Sequence, residues 1–557
     1  MSAPALSAAL TGIGVGRGSA VAPVAFVRPA PPVPAAEVAV EGDTARLEAA
    51  FAFVAAALHE RAARAEGDLA AVLSATALMA GDTALTAEAV SRVRNGTGPA
   101  TAVAEAVAGF ATMFEAAGGY LAERVTDLHS VRDRVIAHLL GAPEPGLALT
   151  ERSVVAAEDL SPADTATLDL ELVAGIVTEL GGPTGHTAII AGQLGIPCLV
   201  RVAGVLDLRP GTTVAIDAAA GTVTVEPDEA LVAMLEERAA RDTAIAGDTA
   251  PGGTSDGRPV PLLANIGTPA DIDRAIAAHA EGVGLFRTEV LFLEATEPPT
   301  VDDQATVYAD AVARLGERKL VVRTLDAGAD KPLAFATQPD EENPALGVRG
   351  YRLARTLPDL VDTQLAALGS TATPGTWVMA PMVATPAEAR DFASRARAAG
   401  ATTVGVMIEV PAAALRAESI LREVDFVSLG TNDLAQYTMA TDRLRGELAD
   451  LLDPWQPAVL ELVAATARAG RALDKPVGVC GESAADPVMA LVLVGMGVTS
   501  LSMSPGSLAA VRFALRSHSS ARCEEIAAAA LAQDDAAAAR AAALALTSTA
   551  FREGLGL

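Results

Sequence analysis

The strongest constraint in this chain lies beyond residue 250, where one pattern recurs eight times. A short apolar strand ends in polar or special residues, and helical sequence follows. The strands are "PLLANIG" from Pro261, "GVGLFRTE" from Gly282, "LVVRTLD" from Leu320 and "WVMAPMV" from Trp377, then "TVGVMIEV" from Thr403, "VDFVSLGTND" from Val424, "KPVGVCGE" from Lys475 and "SLSMSP" from Ser500. Eight strand–helix units over roughly 280 residues have the length and rhythm of a (β/α)8 barrel. An open doubly wound sheet also accommodates eight strands, but no glycine-rich dinucleotide fingerprint follows the first of them. The expectation is a closed TIM barrel.

The first half reads differently. Short strands fill the first 30 residues, and a proline-rich linker, "PAPPVPAAE", follows at 29–37. From 41 to 140 the chain is rich in alanine and charge, and apolar residues recur at helical spacing between glycine breaks. This is a helical hairpin or bundle. From Ser153 the period changes to short strands: "SVVAAED", "GIVTEL", "CLVRV", "TVAIDA" and "TVTVEP". The helical segment therefore reads as an insertion, at 38–140, into an α/β unit formed by 1–37 and 141–226. A linking helix and a Pro/Gly-rich boundary occupy 227–259, the barrel takes 260–540, and 541–557 is a tail. The alanine-rich run "EEIAAAALAQDDAAAARAAALAL" is expected to form a surface helix. The fold class is an α/β multidomain protein.

Composition excludes some functions. The formal net charge of −28 argues against a general nucleic-acid binder and permits a basic protein partner. No apolar stretch is long enough to span a bilayer, so no membrane insertion is expected. Cys198, Cys480 and Cys523 form no CxxC pair, and so sparse a set suits a reducing, cytoplasmic setting.

In a barrel the catalytic groups sit at the C-terminal ends of the strands. Those ends carry Arg287, Arg323, Glu409, Asn432 with Asp433, and Cys480 with Glu482; Lys331 and Arg443 lie in the loops beyond. Two carboxylates on neighbouring strands can hold Mg2+, and the cations can clamp a phosphate and a carboxylate. Rim salt bridges, Arg287–Glu289 and Arg323–Asp326, are the plainer alternative, and Cys480 alone is a small buried hydrophobe. Convergence of so many charges on one face points to a small, polyanionic, metal-bound ligand. A second centre lies at "GGPTGHTAIIAGQLGIP" (181–197), where glycines precede His186 at the start of a helical run, 187–194. A helix start favours an anion, and a neutral imidazole is a competent nucleophile. Thr178, Thr184 and Thr187 are candidate hydroxyl donors there. His59, His129, His138, His279 and His518 have no such surroundings and read as surface or core residues.

"GGPTGHTAI", "GVGLFRTEVLFL", "VVRTLDAGADKP", "EENPALGVRG", "GVMIEVPAAAL", "DFVSLGTNDLAQYTMATDR" and "GVCGESAADP" closely resemble Enzyme I of the bacterial phosphotransferase system, in the same order over nearly the whole chain. The resemblance implies a swivelling α/β phosphohistidine domain with an inserted helical bundle that docks the phosphocarrier HPr, and a barrel that binds phosphoenolpyruvate and forms a homodimer. It implies that His186 is phosphorylated and that Arg287 and Arg323 bind the substrate phosphate, with Lys331 and Arg349 nearby. Glu409 and Asp433 become Mg2+ ligands, Asn432 and Arg443 further substrate contacts, and Cys480 the acid that completes pyruvate. No segment is left over for an ATP-grasp domain, and no sensory domain is expected ahead of residue 1, so the resemblance favours sugar uptake. The chain departs from the family at Gly185, where serine is common, and at Gly192, where arginine is common. Ala329 replaces a glycine. A weakened donor helix implies the alternative of a phosphoenolpyruvate-sensing binding protein.

Overall fold

The computed structural model describes the chain except for residues 1–8, 16–17, 27–30, 35–36, 65–67, 118–123, 143–144, 146–148, 161–171, 183–186, 189–190, 192–195, 293–294, 296, 328–332, 334, 337–340 and 443–445. It divides into two units, 1–240 and 241–557.

In the first unit, β1 (Ala9–Thr11), β2 (Ile13–Val15), β3 (Ser19–Phe26), β4 (Ser153–Ala157), β5 (Val173–Thr178), β6 (Cys198–Val200), β7 (Thr213–Asp217) and β8 (Thr222–Val225) form one sheet in the order β1-β8-β7-β3-β4-β5-β6-β2. The run from β3 to β6 is parallel. β4 and β5 are buried at every position, which is why "SVVAA" and "VAGIVT" are unbroken by charge. Between β3 and β4 the chain leaves the sheet to form helices Asp43–Arg64, Asp68–Ala80, Thr83–Arg94, Pro99–Ala117 and Val125–Leu140. Leu47, Phe51, Leu58, Leu85, Val103, Val131 and Val135 give them a core of their own. Asp82 starts one of these helices by accepting the Leu85 N–H at 2.8 Å.

In the second unit, β9 (Leu262–Ile266), β10 (Gly282–Arg287), β11 (Lys319–Arg323), β12 (Thr376–Ala380), β13 (Thr403–Ile408), β14 (Phe426–Leu429), β15 (Val477–Val479) and β16 (Ser500–Met503) close into a parallel barrel, with β16 pairing back onto β9. Six of the eight strands fall within the expected stretches, and β11 and β12 begin one residue earlier, at Lys319 and Thr376. Alternation divides their side chains. Phe286, Val322, Val378, Val406 and Val427 join the shell core beneath the helices, whereas Leu285, Val321, Met379, Met407 and Phe426 pack together with Cys480 as a separate cluster. At Gly405 a Cβ would lie 2.5 Å from the Phe426 ring, so glycine makes room for the aromatic. Two surrounding helices begin with reciprocal capping boxes, Thr300 with Asp303 and Thr385 with Glu388.

The end of the chain differs from expectation. The alanine-rich run is not a surface helix but two helices, Ser520–Leu531 and Ala536–Ala545, followed by a third, Thr549–Leu555. Ile526, Ala530, Ala539, Ala543 and Phe551 are buried in the barrel core. Small residues explain the close fit: a Cβ on Gly495 would fall 2.0 Å from the Cys523 carbonyl oxygen, so two helices meet nearly backbone to backbone.

Candidate active site

Strand alternation carries polar groups to the C-terminal rim of the barrel. Two residues after inward-facing Val321 comes Arg323, two after Met407 comes Glu409, and Cys480 directly follows β15. The loops after β10, β11 and β14 add Glu289, Asp326 and the first turn of helix Thr431–Met439. Together they surround a cavity of about 550 Å³. Arg287, Arg323, Arg349, Glu409, Asn432, Asp433, Cys480 and Glu482 all line it. Every described strand-end residue singled out from the sequence is therefore brought to one place.

Of the two ion pairs expected from sequence neighbours, Arg323–Asp326 forms, at 3.3 Å, and Arg287–Glu289 does not. Arg287 pairs with nothing among the described residues, and its supposed partner Glu289 instead accepts from Arg323 Nη2 at 2.6 Å. The turn over Thr288–Phe292 carries that carboxylate sideways to the next strand. Asp326 lies 3.3 Å from Arg323 but is gripped at two points by Arg349, at 3.1 and 2.7 Å. Arg349 Nη1 also donates to Asp433 Oδ1 at 2.9 Å and to the Tyr437 hydroxyl at 3.2 Å. Burial works against the charge on Arg323, and Glu289, Asp326 and Glu409 outweigh it, so its pKa is raised.

Glu409 is fully buried rather than projecting from the core. Its Oε1 accepts the Met382 N–H at 2.6 Å, and its Oε2 has no hydrogen-bond partner among the described residues. Burial first, then the charges of Asp433 and Asp326, push this carboxyl up to about 8, against the pull of Arg323 and Arg349. A carboxylate oxygen buried without a hydrogen-bond donor among the described residues, and beside other carboxylates, favours a cation there. Among the described residues no three His, Cys, Asp or Glu side chains form a metal cage. Two carboxylates nevertheless suffice for Mg2+, which completes its octahedron with water and substrate oxygens.

The Cys480 thiol is buried and donates weakly to the Leu429 carbonyl at 3.6 Å. Burial pushes it up to about 11, so it carries its proton at neutral pH. The peptide around it is tied down: Cys480 N–H donates to Leu429, and its carbonyl accepts from Asn265 Nδ2 at 3.1 Å. Asn432 Oδ1 accepts the Glu482 N–H at 3.2 Å, which leaves the Asn432 amide donors available. Cys198 and Cys523 are buried away from this site, and burial pushes both up to about 12.

His186, Lys331 and Arg443 lie outside the described residues, as do Thr184, Gly185, Gly192, Ala329 and most of the helical run expected at 187–194. Thr178 and Thr187 are described, and both correct the expectation of free donors. Thr178 donates to the Leu180 carbonyl at 2.8 Å, and buried Thr187 donates within the fold to Leu160 and Asp159. Sequence reasoning gave no role to Met382, Tyr437 or Gly430. A Cβ on Gly430 would sit 2.5 Å from Glu409 Oε2, and the glycine directly before "TND" was the available signal.

Three stretches match families of known proteins: 11–124 the PEP-utilising enzyme, N-terminal; 149–221 the PEP-utilising enzyme, mobile domain; and 242–520 the PEP-utilising enzyme, PEP-binding domain. The chain is 49% identical over 552 residues to the phosphoenolpyruvate-protein phosphotransferase of Streptomyces coelicolor, covering 97% of this chain and 99% of that one. It is 38% identical over 504 residues to the protein of the same name from Geobacillus stearothermophilus, covering 86% and 87%. With the Haloferax volcanii protein of that name the identity is 40% over 490 residues, covering 84% and 86%.

Proposed function

Because the chain belongs to the phosphoenolpyruvate–protein phosphotransferase family, we propose that it moves the phosphoryl group of phosphoenolpyruvate to His186 and then to the phosphocarrier HPr. Pyruvate is released, and the reaction is the first general step of sugar uptake by the phosphotransferase system. The observation that carries this reading is one cavity in which a guanidinium unpaired among the described residues, two carboxylates and a protonated thiol converge.

Each group has a task. Arg287, with no carboxylate partner among the described residues, takes the substrate phosphate, joined by Arg323. Arg323 and Arg349 are fixed by Glu289, Asp326 and Asp433, so they present their charge without reorganising. Asn432 donates to a substrate oxygen, and Lys331 and Arg443 add charge from the loops. As the bond from phosphorus to the enol oxygen breaks, His186 nitrogen forms the new bond to phosphorus. The enolate carbon takes the proton of the Cys480 thiol, which gives pyruvate and leaves a thiolate. The orphaned Glu409 Oε2 beside Asp433 suits Mg2+, which these two residues would hold. That ion would neutralise charge on the transferring phosphoryl group.

We assign HPr docking to the helical insertion at 38–140 and the swivelling phosphohistidine unit to 1–37 with 141–226. The segment 227–259 serves as a hinge, and the barrel at 260–540 supports homodimerisation. No described helix is long and apolar enough to cross a membrane, and the free thiols suit a reducing cytoplasm. Incubation with Mg2+ and phosphoenolpyruvate labelled on phosphorus should place the label on His186. The His186→Ala chain should stay unlabelled yet bind phosphoenolpyruvate in a calorimeter. Substrate binding to the unaltered chain without any label would instead identify a sensor.

A further inference from the structure

Met382 follows β12 and is buried, yet its backbone is left-handed, with φ 59°. A side chain with a Cβ rarely adopts that conformation, and such strain persists where the surroundings impose it. What the conformation delivers is one hydrogen bond: the Met382 N–H donates to Glu409 Oε1 at 2.6 Å. The same turn is clamped from the other side. Gly350 is also left-handed, with φ 56°, and a Cβ there would lie 2.8 Å from both Cβ and Cγ of Met382. The next residue, Tyr351, donates its N–H to the Pro381 carbonyl at 3.1 Å. The residue before Gly350 is Arg349, which holds Asp433 at 2.9 Å.

The two carboxylates of the cavity are thus oriented from one junction. Glu409 is held by the amide of Met382, Asp433 by the guanidinium of Arg349, and Gly350 locks the two backbones together. We infer that the left-handed pair Gly350 and Met382 is a positioning device that sets the Glu409 and Asp433 carboxylates at the separation a divalent cation requires. The inference rests on the reading of those carboxylates as the cation's ligands. Neither residue touches the cation; both act through groups that do. Orientation of ligands by a surrounding shell is where metal affinity is commonly tuned.

The test measures Mn2+ binding by electron paramagnetic resonance, with oxalate as the dianion that a cation chelates in the substrate's place. Gly350→Ala should weaken Mn2+ binding by roughly 10-fold or more, the usual effect of disturbing such a shell. Met382→Gly keeps the N–H and accepts the left-handed backbone, so its affinity should stay within about 2-fold of the parent. Met382→Val keeps a buried apolar side chain but is β-branched and resists positive φ, so it should bind like Gly350→Ala. The double variant Gly350→Ala with Met382→Gly removes the Met382 atoms that the new Cβ would strike but keeps alanine at positive φ, so it should recover only part of the loss. Melting of the metal-free proteins separates misfolding from misplacement. If Gly350→Ala does not fold, the contrast between Met382→Gly and Met382→Val carries the test. Parental Mn2+ affinity in folded Gly350→Ala or Met382→Val overturns the inference alone. Failure of the parent itself to bind Mn2+ overturns the reading of Glu409 and Asp433, and the inference with it.

Discussion

Cys480 shows how one side chain takes its task from its surroundings. Its thiol is kept protonated by burial and lines the cavity, whereas the buried Cys198 and Cys523 do not line it. Cys480→Ala should therefore slow pyruvate formation by about 100-fold or more, the typical loss of a general acid, with little change in substrate binding. Steady-state turnover measured alongside calorimetric titration checks this; unchanged turnover would return Cys480 to the packing role. At this scale the sequence was informative about which residues matter and poor about how they pair. Strand ends are legible because apolar runs stop there, so Arg287, Arg323, Glu409 and Cys480 could be picked out. Partners were legible only in part: Arg323 does meet Asp326, but Glu289, two residues from Arg287 in sequence, crosses to Arg323 in space. A methionine in a left-handed turn leaves no mark in composition or periodicity. Its conformation is imposed by tertiary contacts around Gly350.

Elements were legible to the degree that their burial is one-sided or complete. The barrel strands stand out because their apolar runs are short and regularly spaced, and β4 and β5 because they carry no charge at all. The last three helices did not stand out as core, since alanine buries well without giving a strong apolar stripe. One of them hangs on a histidine. His518 is buried, its Nδ1 bonds the Ala514 carbonyl at 2.9 Å, and its Nε2 accepts the Ser548 N–H at 3.1 Å, at the cap of helix Thr549–Leu555. Its ring also meets Phe551 edge to face. Burial first, and Arg522 as well, lower its pKa below 6.5, against the Ala514 hydrogen bond. The unfolded chain then binds a proton before the folded one does, so this stabilisation is fully present above pH 6.5 and is lost as the pH falls below it. Melting of the intact chain from pH 8 downward, in about half-unit steps, should show the barrel transition weaken below that point. His518→Phe should remove that part of the slope and cost about 1–3 kcal/mol at neutral pH by orphaning the Ser548 N–H. An unchanged slope would count against the latch.

At the scale of the whole molecule, the sequence separates two chemistries that the proposed reaction must join. Arg287, Arg323, Glu409, Asp433 and Cys480 belong to the unit 241–557, and His186 to the unit 1–240. The helix Glu229–Ala246 runs across that division. A histidine that serves both the substrate and a carrier must visit two places, and one fixed geometry cannot put it in line with both phosphorus atoms. A fragment ending at Gly247 should therefore fold by itself, because the sheet around Val154 and Val177 and the helical insertion around Phe51 and Val131 have separate, complete cores. It should exchange phosphate with phosphorylated HPr, since His186 and the insertion are both retained. It should stay unlabelled with phosphoenolpyruvate, since every cavity group lies beyond the cut. Circular dichroism would establish the fold, and labelling from each donor in turn the chemistry. A fragment that takes phosphate directly from phosphoenolpyruvate would remove the barrel from the reaction and the division of labour with it.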